Sequence, residues 1–309
     1  MSDRSPRTRP DRREPVRNLS RRGFLAGCAT LAAAPALAAA PDGPRVASLD
    51  YGLASTAMAL GVTPVGIAAA AHWPAWVVEP ALPPSVVDIG RDREVNLELL
   101  ASLRPELILA TPYVQALRSR LEDIAPVLSL AIYTPDGNPL ERSYEAARAL
   151  GERLGRRQEA RIFLEEADAV LADCAARIAR VKPGPVLLIN FMDARHARVY
   201  GAQGLYQDVL DRIGATNAWD GPTTYWGFQT IGLEELATKA GPDTSIIAFE
   251  PIPEDVEPTL ARSPLWTRLP PIAEGRYAVL PSVLTFGTVP AALRFARLFT
   301  DHVDPAGRA

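Results

Sequence analysis

Aromatic and arginine side chains gather in this 309-residue sequence just past the points where short apolar runs end. Tyr51, Trp73, Trp76, Arg91 or Arg93, and Tyr113 come from the first half; Tyr225, Trp226 and Phe286 come from the second. In open α/β sheets, ligands bind beyond the strand C-termini. Arginine offers planar donors to oxygen ligands, while tryptophan and tyrosine offer contact area with few torsions to freeze. The chemistry such a set suits is recognition of a bulky anionic or strongly polar solute with apolar parts. Any one of these side chains could equally serve the core or the surface. The set as a whole is harder to explain that way.

Bond-breaking chemistry has weaker support. The sequence has no Gly-x-Ser-x-Gly elbow and no His-Glu-x-x-His pattern,. Asp193 and His196 stand three apart in a polar turn. With no nucleophile beside them they read as a turn salt bridge. His72, His196 and His302 lie far apart, so no direct metal site is expected,. A net charge of -3 without a basic stripe argues against nucleic acid as a partner,. Hydrophobic content of 48% and charged content of 22% are globular values,.

The first 40 residues read as an export leader. A polar, charged stretch precedes Ser20-Arg21-Arg22-Gly23-Phe24-Leu25, and an apolar run follows to Ala40,. The arginine pair with Phe-Leu is the twin-arginine form, used for proteins exported folded. Cleavage after Ala36-Leu37-Ala38 or a neighbouring triplet is expected. Leu25-Ala26-Gly27-Cys28 also fits a lipoprotein box, but its use would leave almost no apolar region after Arg22,. Removal of the leader leaves Cys174 alone, so no internal disulfide is expected,.

The elements that must hold the aromatic set follow in two series. Strands are expected at 45–49, 62–67, 86–90, 105–110 and 127–133, with helices at 53–60, 97–103 and 115–124,. Residues 72–84 and 91–94 read as loop and charged turn. Helices at 139–154 and 158–181 come next, the second with Ile162, Phe163, Ala167, Val170, Leu171, Cys174 and Ile178 on one broad face,. A second series then runs through strands 186–190, 197–200, 245–249 and 277–280. Its helices are expected around Leu205, Val209, Leu210 and Ile213, and at 233–239, 256–265 and 290–299. Trp219 reads as core. The expected division is a leader at 1–40, an N-terminal α/β lobe at 41–156, a connecting long helix at 157–182 and a C-terminal α/β lobe at 183–309. An internal echo supports two related lobes: Leu97-Glu98-Leu99-Leu100-Ala101 before Pro105, and Leu233-Glu234-Glu235-Leu236-Ala237 before Pro242,.

From about Arg45 onward the chain resembles the periplasmic ferric-hydroxamate siderophore-binding family, the solute receptors of ABC importers. The resemblance rests on Asn96-Leu-Glu-Leu-Leu100, Ile124-Ala-Pro126 and Asp193-Ala-Arg-His196. It rests further on Leu205 to Leu210, Gly214, Asn217-Ala-Trp219 and Tyr225-Trp226-Gly227. It implies two α/β lobes joined by one long rigid helix, the class III periplasmic-binding-protein fold, with a small closing motion. It also implies that an arginine and a tyrosine of the first lobe meet the iron-chelating oxygens. Tyr113 fits the tyrosine. Asp92 stands at the arginine's place, flanked by Arg91 and Arg93. Trp226 and Trp76 match pocket aromatics, Tyr51 stands where the family has a tryptophan, and a late aromatic pair becomes Leu284 and Phe286. One glutamate per lobe, here Glu98 and Glu234, is implied to dock on the permease.

The expected protein is therefore a periplasmic, monomeric, non-enzymatic receptor. It would capture an iron(III)–siderophore of hydroxamate type and deliver it to an ABC permease. No cofactor of its own is expected, because the chelator fills the iron's coordination sphere. Two rival readings stay open: a receptor for haem, cobalamin or another metal chelate, and an exported hydrolase using Asp193 and His196.

Overall fold

The computed structural model describes residues 43–91 and 93–307. The expected leader with Cys28, and Asp92, lie outside the described residues. Seven strands belong to the first half: β1 (Val46–Ser48), β2 (Gly66–Ile67), β3 (Val87–Asp88), β4 (Gly90–Arg91), β5 (Glu94–Val95), β6 (Leu107–Ala110) and β7 (Val127–Ser129). Five of them form a parallel sheet in the order β3-β2-β1-β6-β7. All four residues of β6 are buried, as a strand covered on both faces must be,. The remaining two, β4 and β5, pair as a small antiparallel hairpin. Arg91 and Glu94, the ends of the charged run expected as a turn, pair with each other in that hairpin.

The second half holds β8 (Val186–Phe191), β9 (His196–Tyr200), β10 (Phe228–Gly232), β11 (Ser245–Phe249) and β12 (Tyr277–Leu280). Their order is β10-β9-β8-β11-β12. The β8-β9-β10 side is an antiparallel meander, and β8, β11 and β12 run parallel. Strand β10 was not expected, because Gln229 and Thr230 interrupt its apolar pattern. Its pairing is tertiary, Phe228 opposite Tyr200.

The helix Arg157–Val181 joins the two sheets and is roughly 37 Å long,. Its buried stripe is Ala160, Leu164, Ala167, Leu171, Cys174 and Ile178. This shifts the expected face: Ile162 is left 41% exposed, and Ala160 and Leu164 take the inward positions. The helices Pro139–Arg153 and Val289–Val303 pack against it and select that narrower stripe,. Ala160 belongs to the core of the first sheet, while Leu164 onward belongs to that of the second. Burial pushes the Cys174 thiol above its ordinary pKa,.

Two expected helices are broken into shorter pieces. Residues 112–122 form a 3₁₀ stretch, Pro112–Leu117, kinked at Val114, and then a short helix, Arg118–Glu122. The helix expected at 256–265 ends at Leu260, and Pro264 opens a new turn whose Ser263 accepts from Trp266 N,.

Several contacts sew the two halves together. The Tyr133 hydroxyl donates to the carbonyls of Thr285 and Gly287, at 3.0 and 2.9 Å. The Thr56 and Thr288 hydroxyls lie 2.8 Å apart, and both donate to Gly52 O. Leu140 N donates to Asp208, and Gln203 donates to Pro135 O. Arg294 of the last helix pairs with Glu79 at 2.6 Å.

Candidate functional site

A cavity of about 740 Å³ opens between the C-terminal ends of the first sheet and the meander edge of the second. Such a volume holds a ligand of drug size or somewhat larger. On the first-lobe side, Asp50 caps the helix Tyr51–Ala59 by accepting from Leu53 N at 2.8 Å,. That cap sets Tyr51 at the cavity wall, its hydroxyl donating to Ala69 O. Trp76 lines the cavity from the turn Trp73–Trp76 and stays exposed. Arg91 comes from the hairpin, and Tyr113 from the turn after β6.

The second-lobe wall is built by Tyr225 and Trp226, by Arg198 of β9 and Phe228 of β10, and by Leu284 and Phe286 beyond β12. Trp226 sits at the centre of a ring network. Tyr225 lies 4.7 Å away, Phe286 5.3 Å, Tyr133 5.9 Å in a stacked pose and Tyr113 6.2 Å edge-on. Tyr113 and Trp226 thus meet across the cleft. The loop bearing Tyr225 and Trp226 is pinned by its own backbone: Gly227 N donates to Thr224 O, and Gly227 O accepts from Gly201 N.

Two expected site residues are placed elsewhere. Trp73 is fully buried among Ala54, Ile67, Ala70 and Val77, and its indole donates to Pro80 O. It contacts Tyr51 edge-on at 5.6 Å, so it supports the wall without lining it. This corrects the sequence-based placement. The aromatic lies in a one-turn helix, and only one face of that turn can meet the cavity. Arg93 does not line the cavity either; its guanidinium carbon stands 4.1 Å over the Tyr113 ring,. Of the two arginines flanking position 92, Arg91 is the one in the wall.

Sequence reasoning missed Tyr133, Arg198, Phe228, Asp50 and His72, all of which line the cavity. Tyr133 could have been found by the strand-end rule had β7 been ended at Ser129. Arg198 carried a signal too, a cation in mid-strand between the fully buried Ala197 and Val199. Burial holds the Tyr133 phenol well above its ordinary value of 10.0, with the charge of Asp50 adding to the effect,. It therefore acts as a neutral donor. Asp193 and His196 do not line the cavity. They form a closed turn in which Asp193 accepts from Arg195 N, His196 N and the His196 ring. The Arg195 N–H foremost, with the His196 ring next, lowers the Asp193 pKa. Among the described residues no group of three or more His, Cys, Asp or Glu could hold a metal ion. The wall offers stacking surface, hydroxyl donors and guanidinium groups.

The periplasmic binding protein family matches residues 46–284. The chain is 29% identical over 266 residues to the iron(3+)-hydroxamate-binding protein FhuD of Escherichia coli, covering 86% of this chain and 89% of that protein. It is 24% identical over 239 residues to the Fe(3+)-citrate-binding protein YfmC of Bacillus subtilis, covering 75% and 71%. Among solved structures it resembles the siderophore-binding protein FhuD of Vibrio cholerae with Fe3+–Desferal bound. That likeness has a TM-score of 0.79 at 28% identity, covering 84% of this chain and 97% of the other.

Proposed function

The chain belongs to the periplasmic binding protein family, and from that premise we propose that it captures an iron(III)–siderophore of hydroxamate type and delivers it to an ABC permease. The observation that carries this reading is the aromatic cleft centred on Trp226, closed from the opposite lobe by Tyr113 and Arg91. In it, Arg91 and Tyr113 donate to the chelating oxygens, while Trp226, Tyr225 and Phe286 cover the apolar arms. The chelator keeps the iron, so the protein needs no ligand of its own. No catalytic step is assigned to the chain. The Tyr133, Thr56 and Thr288 contacts between the lobes favour a small closing movement over a wide hinge.

We take the chain as a periplasmic monomer, exported by the twin-arginine leader at 1–40, with lipid attachment at Cys28 the lesser alternative. The lobe boundaries proposed are 41–156 and 183–309, with 157–182 between them. Ferric hydroxamates added to the purified protein should quench tryptophan fluorescence at micromolar concentration, as Trp226 stands in the cleft. Silence with ferric hydroxamates, alongside saturation by haem, cobalamin or ferric citrate, would overturn the hydroxamate assignment.

Glu98 and Glu234 support a docking role. Both are exposed, and each is the second residue of a short helix, Leu97–Ser102 and Leu233–Lys239. Acids presented at equivalent places on both lobes suit charge complementarity with arginines on a permease. Replacing both by alanine should cut iron-siderophore uptake at least about tenfold while leaving affinity in solution as it was. Unchanged uptake in cells would remove them from the docking surface.

A further inference from the structure

We propose that Arg198 reads a carboxylate carried at the periphery of the ligand, so that this protein selects ferric chelates with an acidic arm facing the second lobe. The inference rests on the ferric-chelate reading above and narrows its substrate class.

Arg198 stands in the middle of β9, opposite Asn190 of β8 and Thr230 of β10. Its guanidinium carbon lies 4.8 Å over the Phe228 ring, and both side chains line the cavity. The ring holds the guanidinium in place through its face. The Nε of Arg198 is cut off from solvent and has no hydrogen-bond partner among the described residues. A buried donor without an acceptor is costly and calls for a reason. The rest of this part-buried side chain lines the cavity, where an anion would offset the cost of holding the cation there. Nearby polar groups are committed elsewhere. The Tyr200 hydroxyl donates to Asn190, and the Asn190 amide donates to Phe249 O. Asp50, across the cavity, accepts from Leu53 N at its own helix start.

Charge balance indicates what that ligand group is. Three hydroxamate monoanions cancel the charge of one iron(III), so a plain trihydroxamate complex is neutral. Arg91 of the hairpin already brings one guanidinium to the chelating oxygens. A second guanidinium on the far wall has no anion to meet in such a complex. A carboxylate on the ligand would meet it with the planar fork geometry that arginine favours. A pendant ammonium in the same place would be repelled.

Three ligands sharing one iron core isolate this effect: a linear ferric trihydroxamate with a terminal ammonium, the same complex N-acetylated, and the same complex N-succinylated. Titration calorimetry on the wild-type protein should give the succinylated complex at least about a tenfold advantage over the acetylated one, with the ammonium form weakest. Arg198→Leu should bring the succinylated and acetylated complexes to within about twofold of each other. Arg198→Lys, which keeps the charge, should restore part of the difference, and thermal melting of each variant checks that it is folded. Equal affinities of the wild type for all three complexes would overturn the role of Arg198 alone, as would a preference that survives in folded Arg198→Leu. If none of the three complexes binds, the ferric-hydroxamate assignment itself falls, and this inference with it.

Discussion

Truncating Trp226 to alanine should weaken ferric-hydroxamate binding by about 2–4 kcal/mol, roughly 30- to 1000-fold, while the protein stays folded. Central, partly desolvated aromatics carry a disproportionate share of binding energy. Trp226 fits that description through its contacts with Tyr113, Tyr133, Tyr225 and Phe286. Its removal costs the stacking surface for the ligand and also leaves four neighbouring rings without that contact. The half-buried position keeps the fold penalty modest, because the main core clusters do not include it. Trp226→Phe should recover part of the affinity. Calorimetry with one ferric trihydroxamate decides the matter: affinity within about twofold of wild type for the alanine variant would remove Trp226 from the binding centre.

Gly227→Ala should destabilise the protein by about 3 kcal/mol, seen as a fall in Tm of roughly 6–10 °C. Gly227 has a φ of 77°, and a Cβ there would stand 2.1 Å from Gly204 Cα and 2.5 Å from Gly204 N. Both obstacles are backbone, so no side-chain rotation relieves them. The chain must give way, and what moves is the loop that carries Tyr225 and Trp226. Gly214 is the natural control. Its φ is also 77°, but nothing lies within 4 Å of the added carbon. Gly214→Ala therefore meets only the left-handed backbone penalty, about 1 kcal/mol. The difference between the two variants measures the crossing of Gly204 and Gly227 separately from backbone conformation. Equal melting temperatures for the pair would show that the crossing relaxes freely.

The parts of the fold that could be read beforehand are those with local punctuation. Leu233–Lys239, Ser245–Phe249 and Tyr277–Leu280 fall on the expected residues, because apolar runs there are bounded by glycine, proline or charge. Strand β10 lacked that signal, since only its pairing with β9 orders it. The face of the long helix was misjudged at Ile162 because two flanking helices, not the apolar pattern, choose which residues are covered. In the site, Tyr51, Trp76, Arg91, Tyr113, Tyr225, Trp226 and Phe286 were visible as loop residues past strand ends, and all line one cavity. Trp73 was misplaced because the rule gives a loop and not a direction. Arg198 and Phe228 were overlooked because they sit within strands, where the side facing a cleft is set by register.

The last helix, Val289–Val303, lies against the first, Tyr51–Ala59, with Thr288 bonded to Thr56 and Gly52. Arg177 and Arg180 of the long helix then clamp its end through Asp304. The first and last long helices of the described residues are thus mutual supports, and the first lobe lacks part of its covering until Val289–Val303 has been made. The first lobe's covering therefore waits on a segment more than 200 residues further along the chain, a long sequence separation for folding to span,. A protein wired in this way gains from a secretion route that waits for the finished article, and the twin-arginine pathway proposed for the leader carries its cargo folded.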